Sequence, residues 1–266
     1  EDWGLDPRLV AEAVTPRTRA LLPVHLYGHP CDLEPLLALA RRHDLAVVED
    51  AAEALGALYD GRPAGSFGDI SCFSFYGNKL ITTGEGGACL TSRADLAERM
   101  ALLRDHGMNK ARRYWHDELG FNYRMTSLQA AVGVAQLERI EELVAARRRN
   151  AAAYRERLAD LPVGFPPESA RVRSTFWMFN LLLGSEPRWE RDAVMRRLAA
   201  AGVDSRPVFY PLPEMPLYAR YVRPGQEFPV ASRLGARGLS LPSATTLRPA
   251  EIDRVAAAVR SALGRV

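Results

Sequence analysis

Lys79 is one of only two lysines among 35 basic residues. It stands within Ser74-Phe75-Tyr76-Gly77-Asn78-Lys79-Leu80-Ile81-Thr82-Thr83-Gly84-Glu85-Gly86-Gly87. Arginine keeps its proton in proteins, whereas a desolvated lysine can lose one and attack a carbonyl. A lysine that follows a strand and leads into a glycine-rich turn is therefore a candidate for covalent chemistry. The competing explanation is a leftover surface lysine in a chain whose composition favours arginine. Asp50, at the end of Leu45-Ala46-Val47-Val48-Glu49-Asp50, is the second candidate. Taken alone it is more commonly a helix N-cap, because Ala51-Ala52-Glu53-Ala54 suits a helix start.

The elements around these two residues bring them together. Residues 69–75 alternate Ser71, Phe73 and Phe75 with Ile70, Cys72 and Ser74. Both faces are apolar or small, as in a strand covered on each side. Leu45–Val48 is a similar strand. In open α/β sheets, ligands bind beyond the carboxyl ends of the strands, where Asp50 and Lys79 would both emerge. An acid that keeps a pyridinium nitrogen protonated and a lysine that bonds to an aldehyde are the pair that pyridoxal phosphate (PLP) requires.

Upstream, a strand at Leu21–Val24, a helix from Asp32 through His43 and the Leu45–Val48 strand make a βαβ rhythm, which predicts a parallel sheet. Gly87–Leu90 reads as a further strand and Ala94–Arg104 as a helix. Thr126 and Gln129 form a capping box ahead of a long helix, with a break expected near Ala146. The proline-rich stretch at 161–168 marks a change of register. A strand at Phe176–Leu183 and a helix at Trp189–Ala201 follow. The last helix, after Pro249, places Ile252, Val255, Ala256, Val259 and Leu263 on one face. The expected division is a large domain over 1–150 and a small α/β domain over 151–266.

At 266 residues and 47% hydrophobic, the chain can bury a sizeable core. It has no apolar run of membrane-spanning length and no signal-peptide pattern, so a cytoplasmic protein is expected. Cys31, Cys72 and Cys89 are too few and scattered for a disulfide framework or a zinc site, and Cys72 and Cys89 are expected in buried strands. The net charge of +3 is weak, and Arg147-Arg148-Arg149 reads as a solvated helix face, not a nucleic-acid patch. His25 and His29 flank a turn containing Gly28, so no metal site is expected.

Val47-Val48-Glu49-Asp50-Ala51-Ala52-Glu53-Ala54-Leu55-Gly56-Ala57, the stretch from Gly68 to Gly87, Pro23-Val24-His25-Leu26-Tyr27-Gly28-His29-Pro30 and the stretch from Gly120 to Gly133 occur in order. Together they resemble the PLP-dependent sugar aminotransferases of the DegT/DnrJ/EryC1/StrS family, through nearly the whole chain. The resemblance implies the aspartate-aminotransferase-like fold (fold type I), with an N-terminally incomplete large domain and a small C-terminal α/β domain. It implies that Lys79 holds PLP covalently and moves a proton between the donor carbon and the cofactor, while Asp50 pairs with the pyridine nitrogen. Ser74 would donate to the PLP phosphate; an ordinary strand serine bonded to backbone is the alternative. Glu53, where many members have glutamine, would meet the ring or its 3-oxygen.

By the same resemblance, Asn122 and Arg124 would reach the phosphate of a neighbouring subunit, which implies a homodimer. A surface or interface ion pair is the alternative for Arg124. Tyr76, where many members have histidine, and Tyr210 would border the sugar; for Tyr210 a core corner is equally consistent. Lysine at position 79, where some relatives carry histidine, favours transamination over dehydration. The amino donor would be L-glutamate and the acceptor a nucleotide-linked keto-deoxysugar. Phe75-Tyr76-Gly77-Asn78-Lys79 with Arg113-Tyr114-Trp115-His116 is most similar to members acting on GDP-4-keto-6-deoxymannose. A 3-keto or dTDP-linked sugar is the alternative acceptor. The sequence opens partway into the family pattern, without the helix N-terminus that grips the phosphate or the aromatic that stacks on the ring. From this, weaker cofactor binding is expected, and a non-catalytic fragment or regulator stays open as a second class.

Overall fold

The computed structural model describes residues 3–264. One compact unit holds the chain up to Val144 together with Glu168–Trp177; the other holds Ala145–Pro167 and the chain from Met178 onward. The chain therefore passes between units three times, and no single cut near residue 150 separates them. In the first unit lie α1 (Pro7–Ala13), β1 (Ala20–Leu21), α2 (Leu33–Arg42), β2 (Ala46–Asp50), β3 (Leu58–Tyr59), β4 (Arg62–Pro63), β5 (Ile70–Ser74), β6 (Gly87–Leu90), α3 (Ala94–Arg104) and α4 (Ser127–Leu137). The helix α5 (Ile140–Arg157) carries the chain onward to β7 (Val163–Gly164), and β8 (Val172–Arg173) belongs to the first unit again. Then come β9 (Phe179–Leu183), α6 (Arg191–Ala200), β10 (Arg206–Pro207), α7 (Pro229–Arg237), β11 (Gly238–Leu241) and α8 (Pro249–Ala262).

The sheet that positions the site has the order β1-β2-β5-β6. Its first three strands are parallel and β6 runs antiparallel to β5. Between β1 and β2, the helix α2 buries Leu33, Leu36, Leu39 and Ala40 along one stripe. Leu39 and Ala40 pack on Leu21 and Val47, which closes the βαβ layer. Expected strand edges move by a few residues: Val24 makes only an isolated bridge, to Asp50.

After Asp50 the chain forms tight turns, not the helix start that the N-cap alternative would give. The Ala54 N–H donates to Ala51 and the Ala57 N–H to Ala54, and these three alanines pack against Phe73. The Thr126–Gln129 capping box is present, but the helix breaks at Glu138–Arg139, not near Ala146. Gln136 ties the last turn of α4 to the loop at Thr82, and α5 restarts beyond it.

Two expectations about side chains fail. Cys72 and Cys89 face each other across β5 and β6 with their sulfurs 3.8 Å apart. Cys72 is half-buried and Cys89 exposed, because β6 is the edge of its sheet among the described residues. Arg147 is buried instead of solvated and donates to the Ser243 carbonyl. Burial lowers its pKa to about 10.

In the second unit the antiparallel order is β10-β11-β9-β7. Phe179, Leu181 and Leu183 of β9 are buried, as are Ile252, Val255, Ala256 and Val259 of α8 and the following Leu263. Trp189 joins this core and donates its indole N–H to the Leu263 carbonyl at 3.1 Å. That bond satisfies the one polar atom of a fully buried indole.

Candidate functional site

Lys79 is carried by a loop closed at its base. The Phe75 N–H donates to Gly86, and the Phe75 carbonyl accepts from the Thr83 N–H at 2.9 Å and the Thr82 hydroxyl at 3.0 Å. Gln136 accepts from the Thr82 N–H at 3.2 Å and donates to its carbonyl at 2.5 Å. Ile81 is buried beneath, and the Lys79 N–H donates to Tyr76 at 3.0 Å. A backbone held at so many points gives the lysine a fixed origin.

Asp50 ends β2 between two neighbours: its backbone bonds to Pro23 and His25 on one side, and the following Ala51 N–H donates to Cys72 on the other. One carboxylate oxygen accepts from the Ala52 N–H at 3.1 Å. Strand alternation turns the preceding Glu49 to the opposite face. There it accepts from His25 at 3.0 Å and from the N–H groups of Gly65, Phe67 and Gly68 at 2.6–2.7 Å. Burial pushes the Glu49 carboxyl up, but the bonds from His25, Gly68, Gly65 and Phe67 outweigh it and hold the group below the usual range. His25 accepts the Cys31 N–H on Nδ1, so its Nε2 carries the proton shared with Glu49.

The Lys79 amine lies 3.6 Å from Glu53 Oε1, with side-chain exposures of only 14 and 11%. Glu53 Oε2 accepts from the Tyr27 N–H at 2.7 Å. Burial lowers the lysine pKa, against the opposing pull of the Glu53 and Asp50 carboxylates. Burial likewise raises that of Glu53, and Asp50 adds to the rise while Tyr27 and Lys79 counter it. Both shifts move the pair towards its neutral form, the state in which an amine is nucleophilic.

The side chain also rests on Trp177, with Nζ 3.8 Å from the ring centroid. Gly28 fixes the tryptophan's stretch of chain: its carbonyl accepts from the Thr175 N–H and the Ser174 hydroxyl, each at 3.0 Å. At φ +92° a Cβ on Gly28 would meet Thr175 Oγ1 at 2.2 Å, so only glycine fits.

The sequence candidates fall into groups. Asp50, Glu53 and Lys79 share one electrostatic neighbourhood. Ser74 ends β5 and accepts from the Tyr76 N–H at 3.3 Å. Tyr76 is half exposed. Asn122 and Arg124 lie in an exposed segment, where Arg124 pairs with Asp105 at 3.3 Å. Tyr210, in the second unit, is also exposed, and its hydroxyl accepts from Arg191 at 3.2 Å.

Sequence reasoning missed Glu49, His25, Tyr27 and Trp177 as parts of this neighbourhood. An acid at an inward strand position was a usable signal for Glu49, since a buried charge needs partners. Nothing local marked Trp177, whose contact with Lys79 depends on the chain returning from Glu168 onward.

The chain matches the model of the DegT/DnrJ/EryC1/StrS aminotransferase family over residues 1–260. It is 49% identical over 263 residues to GDP-perosamine synthase of Caulobacter vibrioides, covering 98% of this chain and 70% of that protein. GDP-perosamine synthase of Escherichia coli O157:H7 is 42% identical, covering 93% of this chain and 66% of the relative. The dTDP-3-amino-3,4,6-trideoxy-alpha-D-glucose transaminase of Streptomyces venezuelae is 41% identical, with 98 and 68% covered. The chain thus spans 66 to 70% of the length of these curated relatives. Among solved structures, the PLP form of the putative sugar aminotransferase Spr1654 from Streptococcus pneumoniae superposes with a TM-score of 0.89 at 25% identity, over 97% of this chain and 72% of that one.

Proposed function

The chain belongs to the DegT/DnrJ/EryC1/StrS aminotransferase family, and from that premise we propose that it acts as a PLP-dependent aminotransferase on a keto group of a nucleotide-linked deoxysugar. The single observation that carries this reading is the placement of Lys79: a shielded amine, lowered in pKa by burial, in the same charged neighbourhood as Asp50 and Glu53. That donor set fits PLP. Lys79 would attach the aldehyde carbon, Asp50 would hold a proton on the ring nitrogen, and Ser74 would direct its hydroxyl hydrogen to the phosphate. Glu53, fixed by the Tyr27 N–H, would sit beside the ring or its 3-oxygen. Bound PLP supplies an electron sink.

The remaining steps belong to the chain. Lys79 Nζ would take the proton from the donor carbon and return it, which requires the neutral amine that burial favours. L-glutamate would give its amino group first and the keto sugar would receive it second. The acceptor is proposed as GDP-4-keto-6-deoxymannose, supported by the similarity to GDP-perosamine synthases. The similarity to the dTDP-sugar transaminase favours a 3-keto dTDP-linked acceptor as the alternative, with Tyr76 and Tyr210 as candidate sugar contacts. A cytoplasmic location is part of the same proposal.

A homodimer is part of the proposal. Tyr114, Trp115, Leu119, Phe121, Tyr123 and Leu128 are large and exposed, which suits an interface. Asn122 and Arg124 of each subunit would then serve the other subunit's phosphate. Borohydride reduction of the chain with PLP, followed by peptide mass spectrometry, tests the reading: the adduct should lie on Lys79 and vanish in Lys79→Ala. A folded chain that captures no PLP would overturn catalysis by this chain and favour the non-catalytic fragment. Screening both sugar types with glutamate then separates the two acceptors.

A further inference from the structure

We propose that Trp177 is the positioning residue for Lys79, fixing where the amine stands before it bonds to a carbonyl. The inference rests on the role proposed above for Lys79. The indole touches the lysine at two levels: its ring lies 3.8 Å from Nζ, and its N–H donates at 2.9 Å to the carbonyl of Asn78, the residue before Lys79. A cation within about 6 Å of an indole centroid is attracted by the ring's negative face. One side chain therefore holds both the backbone entering Lys79 and the far end of that residue.

The indole is itself fixed. Trp177 is 4% exposed and stacks on Tyr27 with ring centroids 6.5 Å apart and planes 14° from parallel. The Tyr27 N–H holds Glu53, and Glu53 faces Nζ. Contacts thus run from Lys79 to Trp177, Tyr27 and Glu53 and back to Lys79, joining four separate stretches of chain. Burial favours the neutral amine, while the π face and the carboxylate both favour the ammonium. Trp177 therefore sets the balance between the two forms as well as the direction of the side chain. A tryptophan that only filled the core would act through burial alone and favour the neutral amine.

Lys79 and Lys110 are the only lysines, and Lys110 is exposed, so it serves as an internal reference. Reductive methylation of the PLP-free chain with formaldehyde and cyanoborohydride, read by peptide mass spectrometry, gives the Lys79:Lys110 rate ratio. Trp177→Leu should raise that ratio roughly fivefold, and Trp177→Phe, which keeps an aromatic face, should stay within about twofold of wild type. Equal ratios in all three proteins, or the same rise in both variants, would overturn the proposal. If the leucine variant does not fold, tryptophan emission decides. Lys79→Met should shift the emission by removing the amine that rests on one indole, and superimposable spectra would overturn the inference. Neither readout involves PLP, so this proposal and the PLP reading can fail independently.

Discussion

His25 Nε2 and Glu49 Oε2 lie 3.0 Å apart, and neither side chain is exposed. Glu49 also gathers the N–H groups of Gly65, Phe67 and Gly68, so one carboxylate ties the turn after β1 to the segment leading into β5. The neighbouring Asp50 is bonded through its backbone to Pro23 and His25. The buried acid is thus a scaffold for the acid proposed above to hold the ring nitrogen's proton.

Removing that scaffold should be costly. Glu49→Ala should destabilise the protein by about 3–5 kcal/mol, because it strands buried donors; Glu49→Gln should cost less. The carboxyl is held below its usual range, so its stabilisation is present above the ordinary carboxylate range and is lost as pH falls through the lowered folded value. Urea unfolding from neutral pH down to about pH 3 should show the gap between wild type and Glu49→Gln closing. A gap that widens on acidification would contradict the assignment.

Much of this arrangement was legible in the sequence. Asp50 and Lys79 were placed by strand ends, because apolar alternation and glycine-rich turns are local signals. The 126–129 capping box and the buried face of α8 were legible for the same reason. The absence of a helix after Asp50 was not, since propensity there yields to the packing of Ala51, Ala54 and Ala57 on Phe73. The break at Glu138 was hidden too, because the bonds from Gln136 to Thr82 join residues distant in sequence. Trp177 shares that cause: no window around it contains Lys79.

Glu53 should control the charge of Lys79. The carboxylate opposes the burial that lowers the lysine pKa, so Glu53→Gln lowers that pKa further and moves the pH–rate profile for methylation of Lys79 to lower pH. At mildly alkaline pH the rate relative to Lys110 should rise roughly fivefold. Combined with Trp177→Leu, the effect should be non-additive, because both residues act on one amine. An unchanged profile would separate Glu53 from the lysine's protonation.

Gly28→Ala should strain the turn that holds the Trp177 segment. Its φ of +92° disfavours any side chain, and the new Cβ would meet Thr175 Oγ1 at 2.2 Å and the Trp177 nitrogen at 3.0 Å. The expected loss is about 1–3 kcal/mol in chemical unfolding. Adding Thr175→Ala should recover only part of it, because the hydroxyl clash disappears while the left-handed backbone remains. Full recovery would mean that the steric contact alone mattered.

Gln136 gives the most local test of how the lysine loop is held. Its amide satisfies both the N–H and the carbonyl of Thr82, and the Thr82 hydroxyl in turn bonds to Phe75 at the base of the loop. Gln136→Ala should cost about 1–2 kcal/mol and speed hydrogen exchange at the Thr82 amide. Gln136→Glu can still accept that N–H but sets a carboxylate against the carbonyl, so it should protect the amide partially and stabilise the loop less than glutamine. Because the Lys79 N–H bonds within the loop to Tyr76, loosening at Thr82 should also raise exchange at Lys79. If Thr82 exchanges faster and Lys79 does not, the two halves of the loop open independently, and Gln136 fixes the base without fixing the lysine.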